Sequence, residues 1–352
     1  TVLTYMVNIY IYELKFPVTS LEIFQCLKEY PNFFFLDSAL SGNLYSRYSF
    51  LGIEPFLVMK FEKSKILIQD SSGITEKEDN PFVVLERLLN TYKIGDIEDL
   101  KKRYKFPFAG GAVGYISYDM CRFIENVPNT GKDDSGFPEM YFGFYDTFVV
   151  FDHLENKCYV VSINFSKNNI DGKVKDLIKI IQDYVLNPSH SMSVNSGFNQ
   201  IDCRKSWHLD KGGDVFKLKK DVVCNFTKKE YIETVKRAKE YIKDGDIYQV
   251  NLSQRFQTKP SYSPFELYER LRVFNPAPYS AFIGFDKRYI VSSSPERFLA
   301  VRNINNPRNG KNKIRVQVRP IKGTRPRCED LAADTRMANE LLSSGKDDAE
   351  LT

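Results

Sequence analysis

No apolar run in this 352-residue chain approaches the roughly 20 residues needed to cross a bilayer, so no membrane-spanning helix is expected. Paired cysteines are lacking too. Cys26, Cys121, Cys158, Cys203, Cys224 and Cys328 are scattered without a C-x-x-C spacing, which argues against both a disulfide framework and a zinc site and suits a reduced, cytoplasmic protein. Only three histidines occur, His153, His190 and His208, none at metal-ligand spacing, and each is read as a solvated loop residue. A large charge excess is absent as well. The net charge of +5 comes from interleaved basic and acidic residues and fits an anionic small molecule, so neither nucleic acid nor membrane is expected as a partner. The N-terminus lacks the layout of a secretion signal, and Met6 is a candidate start. No internal repeat is visible.

The periodicity that is present describes an ordinary globular chain. Phe33–Leu36, Phe56–Met59 and Thr147–Phe151 read as strands. Ser20 marks the start of one helix and Pro81 that of another, and Val174, Leu177, Ile178 and Ile181 place a third over about 171–185. Residues 186–226 are polar and aperiodic, which predicts a linker between domains at 1–185 and 227–352. The second domain opens on the capping box Thr227–Glu230, followed by a stripe of Tyr231, Val235, Ala238 and Ile242 and a terminating Gly245. A second capping box, Ser263–Glu266, opens a further helix. Strands are expected over 246–254, 281–285, 289–293 and 313–319, and the close spacing of the later runs predicts antiparallel pairing. The basic, polar stretch 302–313 predicts an extended, solvated hairpin.

Several segments carry candidate chemistry. Lys322 stands in Pro320-Ile321-Lys322-Gly323-Thr324, whose proline and glycine restrict the backbone around a lysine. An alternating strand over 246–254 would place Ile247, Gln249, Asn251 and Ser253 on one largely polar face. Glu296 stands in Ser294-Pro295-Glu296-Arg297-Phe298.

These segments, with Asn275-Pro276-Ala277-Pro278-Tyr279 and with Gly110-Gly111-Ala112-Val113-Gly114-Tyr115-Ile116-Ser117-Tyr118-Asp119, resemble the chorismate-utilising family over nearly the whole chain. That family includes the anthranilate, aminodeoxychorismate, isochorismate and salicylate synthases. The resemblance implies an α+β fold of antiparallel β-sheets packed as a sandwich with flanking helices, the C-terminal part of the family core lying outside this chain. It implies that Glu296 is the general acid protonating the departing C4 hydroxyl of chorismate. Water-adding members carry a lysine base where Gln249 stands; a glutamine takes no proton at neutral pH, so ammonia is the implied nucleophile. Lys322 matches the lysine of aminodeoxychorismate synthases, where anthranilate synthases usually carry alanine. Its implied role is covalent attack at C2 before ammonia enters at C4, giving 4-amino-4-deoxychorismate for p-aminobenzoate and folate synthesis. Thr324 is an implied substrate contact. Ser38, Pro276 and Tyr279 match a tryptophan-binding site, and Glu350 matches one of two glutamates that hold Mg2+ through the substrate carboxylate. A glutaminase subunit is the implied ammonia source. Two other functions compete: an anthranilate synthase component I, and a truncated, non-catalytic module that binds tryptophan or a partner.

Overall fold

The computed structural model describes residues 9–40, 46–94, 106–129, 131, 133, 135–165, 170–187, 222–260, 262–305, 312–321, 323–345 and 347. In chain order the first elements are β1 (Ile9–Glu13), α1 (Ser20–Leu27), β2 (Phe33–Asp37), β3 (Tyr48–Gly52), β4 (Leu57–Glu62), β5 (Lys65–Asp70), β6 (Gly73–Lys77) and α2 (Pro81–Thr91). Then come β7 (Gly111–Ile116), a 3-10 turn (Tyr118–Phe123), β8 (Met140–Tyr145), β9 (Thr147–Asp152), β10 (Lys157–Ile163) and α3 (Ile170–Leu186). The remainder comprises β11 (Val223–Cys224), α4 (Lys228–Asp244), β12 (Phe256–Gln257), α5 (Pro264–Phe274), β13 (Tyr279–Phe285), β14 (Arg288–Ser294), β15 (Arg297–Asn305), β16 (Asn312–Arg319) and α6 (Leu331–Leu342).

The fold is α+β, with antiparallel sheets as expected. One seven-stranded sheet runs β1-β10-β9-β3-β2-β13-β14, and a five-stranded sheet runs β6-β5-β4-β8-β7. Alternation along β2 shows how the layers form, because successive side chains leave a strand on opposite faces. Phe34 meets the Tyr145 ring of the five-stranded sheet at 4.6 Å, within a core that also holds Phe148, Val161, Ile283, Tyr141 and Val58. Phe33 and Phe35 turn the other way, onto Phe24 of α1 at 5.7 and 4.7 Å. The outer face of the five-stranded sheet is covered by Val84 and Leu85 of α2 and by Met120.

Local rules account for most of the helices. Thr19 caps α1 one residue earlier than expected, in a reciprocal box with Glu22. Asn80 caps α2 with Pro81 in its first turn, and the Ser263–Glu266 box opens α5. Strands β15 and β16 form the expected long hairpin; residues 306–311 of its connection lie outside the described residues.

By spatial contact the chain divides into residues 1–197 with 268–352, and residues 198–267. This differs from the expected division at 186–226, most of which lies outside the described residues. The reason is a ladder invisible in sequence order: β13 pairs with β2, Phe282 opposite Phe35, and so completes the N-terminal sheet. In the smaller unit α4 is capped by Thr227 and Glu230 and ended by Gly245 at φ 83°, but no residue of the helix is buried, Ile242 of the apolar stripe included. The expected strand over 246–254 is not present. That backbone is irregular, and only Phe256–Gln257 pairs, with Val223–Cys224. Alternation alone does not make a strand, because its backbone groups need a neighbouring ladder. Tyr248 within it is 91% exposed.

Candidate functional site

A cavity of about 420 Å³ opens beside β2, β3 and β13, lined by Leu36, Asp37, Ser38, Arg47, Tyr48, Phe50, Pro278, Tyr279, Arg297 and Arg319 among others. Strand β2 delivers Asp37 and then Ser38 at its end, and the Asn275–Tyr279 segment closes the opposite wall as it enters β13. The Ser38 hydroxyl donates to the Tyr48 carbonyl at 2.7 Å, which leaves its lone pairs as acceptors. Aromatic and proline faces supply the apolar part of the lining. Burial pushes the Tyr48 phenol up to about 12, so it stays protonated near neutral pH.

Under this cavity lies a buried polar cluster. Asp37 accepts from Ser49 Oγ at 2.8 Å, from the Tyr268 hydroxyl at 2.9 Å and from Arg272 Nε at 2.6 Å. Ser49 has a single proton and gives it to Asp37, so it accepts from the Ser38 amide at 3.1 Å and from His153 Nε2 at 2.7 Å. This fixes the proton of neutral His153 on Nε2. The expectation that His153 is a solvated loop residue is therefore corrected: it is half-buried, and burial lowers its pKa. His190 and His208 lie outside the described residues.

The guanidinium groups of the cavity differ in their commitments. Arg47 is forked onto Asp152, at 3.1 Å through Nε and 2.7 Å through Nη2. Arg297 donates to the neutral Gln317 side chain at 2.7 Å, while its buried Nε has no hydrogen-bond partner among the described residues. Arg319 reaches the Tyr279 hydroxyl at 3.4 Å. The Asp37 carboxylate is already satisfied by three donors. The lining thus holds a buried Arg297 Nε that has no partner among the described residues.

Of the residues singled out in the sequence, Ser38 and Tyr279 line this cavity together, whereas Pro276 is exposed and is not among its lining residues. Glu296 is exposed in the two-residue connection between β14 and β15. Thr324 is exposed, and its carbonyl accepts from Arg325 Nη1 at 2.9 Å. Gln249 is exposed on irregular backbone of the smaller unit. Lys322 and Glu350 lie outside the described residues. One ladder relates the motifs: Arg297 pairs with Arg319. Glu296, just before Arg297, and Pro320, just after Arg319, therefore leave the hairpin side by side. Asp37, Arg47, Arg272, Arg297 and Arg319 were not anticipated as site residues; a lone aspartate ending the apolar run Phe33-Phe34-Phe35-Leu36 was the available signal. Among the described residues no three His, Cys, Asp or Glu side chains converge as a metal site, so these residues do not by themselves fit the expected Mg2+. Also among them, no helix is long and apolar enough to cross a membrane.

Fold and cavity define an α+β protein of antiparallel sheets with a small-molecule-sized, arginine-lined site. The family model for chorismate binding enzyme matches residues 54–352, and the chain belongs to that family. It is 34% identical to anthranilate synthase component 1 of Acetivibrio thermocellus, over 94% of this chain and 62% of that protein. It is 30% identical to aminodeoxychorismate synthase component 1 of Escherichia coli K12, over 93% of this chain and 62% of that protein. The crystal structure of anthranilate synthase component I from Streptococcus pneumoniae superposes with a TM-score of 0.62 at 25% identity, over 88% of this chain and 60% of that one. The chain thus spans less than two thirds of these relatives' length.

Proposed function

We propose that this chain is the chorismate-binding part of an aminodeoxychorismate synthase component I, making 4-amino-4-deoxychorismate from chorismate and ammonia in p-aminobenzoate and folate synthesis. The supporting observation is the pairing of Arg297 with Arg319, which brings Glu296 and Pro320, the latter two positions before Lys322 in sequence, to one end of a hairpin. In this reading the neutral Lys322 amine attacks C2 of the ring while Glu296 gives its proton to the C4 oxygen, which leaves as water. Ammonia then bonds to C4, and the C2–nitrogen bond to lysine breaks. Gln249 and Thr324 contact the substrate. A glutaminase subunit supplies the ammonia. Mg2+, with Glu350 as a ligand, belongs to the same proposal, and no step is derived through it.

The cavity beside β2 suits a zwitterionic aromatic amino acid such as tryptophan: lone pairs of Ser38 for the ammonium, Arg297 for the carboxylate, and the Tyr48, Pro278 and Tyr279 faces for the ring. A saturating ligand raises stability by RT ln(1 + [L]/Kd), so tryptophan is expected to raise the melting temperature, and Tyr279→Ala to reduce that rise. No rise would remove the tryptophan reading.

A second reading, anthranilate synthase component I of tryptophan synthesis, is favoured by the 34% identity to the Acetivibrio protein. The deciding experiment incubates the natural protein with chorismate, ammonium and magnesium and separates the products. Aminodeoxychorismate, lost or strongly reduced in Lys322→Ala, supports the first reading. Anthranilate supports the second. Tryptophan binding without turnover points instead to a non-catalytic module.

A further inference from the structure

A second cavity, of about 460 Å³, opens at the start of β2, whereas the cavity of Ser38 lies at its end. Asn32, Glu54, Phe56, Asp70, Tyr92 and Phe165 line it, so the ends of β2, β5, α2 and β10 meet the β3–β4 connection there. The last β2–β3 pair toward this end is Phe34 with Gly52, and two positions beyond each stand Asn32 and Glu54. Both have left-handed backbones, at φ 53° and 50°. That conformation suits asparagine but is strained for glutamate, and such strain gathers at binding sites. Two acceptors here lack donors. Asn32 Oδ1 is buried and has no hydrogen-bond partner among the described residues, and the exposed Glu54 carboxylate meets no cation among them. Asp70 adds a second negative charge, its carboxylate accepting from the hydroxyl and amide of Ser72 at 2.5 and 2.8 Å, which lowers its pKa. Lys173 also lines the cavity, but its ammonium is committed to the buried Asp146 at 3.0 Å. The apolar side is aromatic. Phe56, Tyr92 and Phe165 form a triangle with centroids 4.9–5.9 Å apart, and all three are half-buried, so they keep free surface toward the cavity.

We infer that this cavity binds a small primary amine in its protonated form, with the ammonium between Glu54 and Asn32 and the hydrocarbon body on the Phe56, Tyr92 and Phe165 rings. An ammonium brings three donors and no acceptor, which matches a free carboxylate beside a free amide oxygen. The volume is that of an ordinary small-molecule site. Glu54 and Asp70 repel a carboxylate or phosphate, which sets this cavity apart from the arginine-lined one. The inference is independent of the proposed chemistry on chorismate.

The test is calorimetric titration of the natural protein with 2-phenylethylamine and with its neutral isostere 2-phenylethanol. The amine is expected to bind saturably at one site and about tenfold more tightly than the alcohol, the factor that one charge-assisted hydrogen bond supplies. Glu54→Gln keeps the side-chain size at an exposed position. It is expected to weaken amine binding about tenfold and to leave the alcohol unchanged. Tyr92→Leu is expected to weaken both ligands, because it removes ring surface common to them. Tyr279→Ala, in the cavity of Ser38, is expected to leave the amine affinity unchanged. No saturable binding, equal affinity for amine and alcohol, or an undiminished affinity in Glu54→Gln overturns the inference. Loss of amine binding in Tyr279→Ala alone also overturns it, by placing the amine in the other cavity.

Discussion

Arg272 Nε donates to Asp37 Oδ2 at 2.6 Å, and the Asp37 side chain is fully buried. This contact joins the end of β2 to the last turn of α5 across 235 residues of sequence. Ser49 and Tyr268 complete the aspartate's shell, and Ser38 at the rim of the cavity is bonded to the same Ser49 hydroxyl.

Breaking this pair from one side leaves a buried charge unmatched. Asp37→Ala is expected to cost about 3–5 kcal/mol, since it strands both Arg272 and the Tyr268 hydroxyl. Urea unfolding measures it. A loss below about 1 kcal/mol, the range of exposed pairs, would contradict the cluster described here.

His153 predicts a pH dependence of a definite sign. Burial holds its folded pKa below the ordinary 6.5, reinforced by Arg272 and opposed by Asp37 and Asp152. The unfolded chain therefore binds the proton first as pH falls, and stability declines from just above pH 6.5 down to the folded pKa. Above that window this contribution is complete and flat. Denaturation at a series of pH values should show a shallower decline in His153→Gln; equal slopes would show that another group is responsible.

Gly114 marks a close approach of two strands. A Cβ there would lie 1.8 Å from the Tyr141 carbonyl oxygen, which is backbone and cannot swing aside. Gly114→Ala is expected to cost about 3 kcal/mol by forcing β7 from β8, at the upper end of ordinary overpacking. A melting temperature equal to that of the unmodified chain would show that the two strands tolerate separation.

Phe24 is the hub of the helix-side layer, with ring centroids of Phe35, Phe282, Phe33 and Tyr268 at 4.7–5.8 Å. Phe24→Ala should cost about 3–5 kcal/mol, and Phe24→Leu less, because a smaller void remains. The ordering of the two variants in chemical denaturation tests the packing.

Residue order by itself determined the local elements. Capping boxes at Thr227 and Ser263, Pro81 in a first turn and the left-handed Gly245 depend on neighbours within four positions, so they are legible one window at a time. The same holds for strands such as Phe33–Asp37 and for the motifs around Glu296 and Lys322. What only the tertiary structure decided is where distant segments meet. The pairing of β13 with β2, the bond from Arg272 to Asp37 and the seat of His153 on Ser49 all join residues more than 100 positions apart. Residues 246–254 show the converse: alternation marked a strand, but the backbone is irregular there. A side-chain period states which face is apolar, whereas a ladder requires another chain segment to supply its hydrogen bonds.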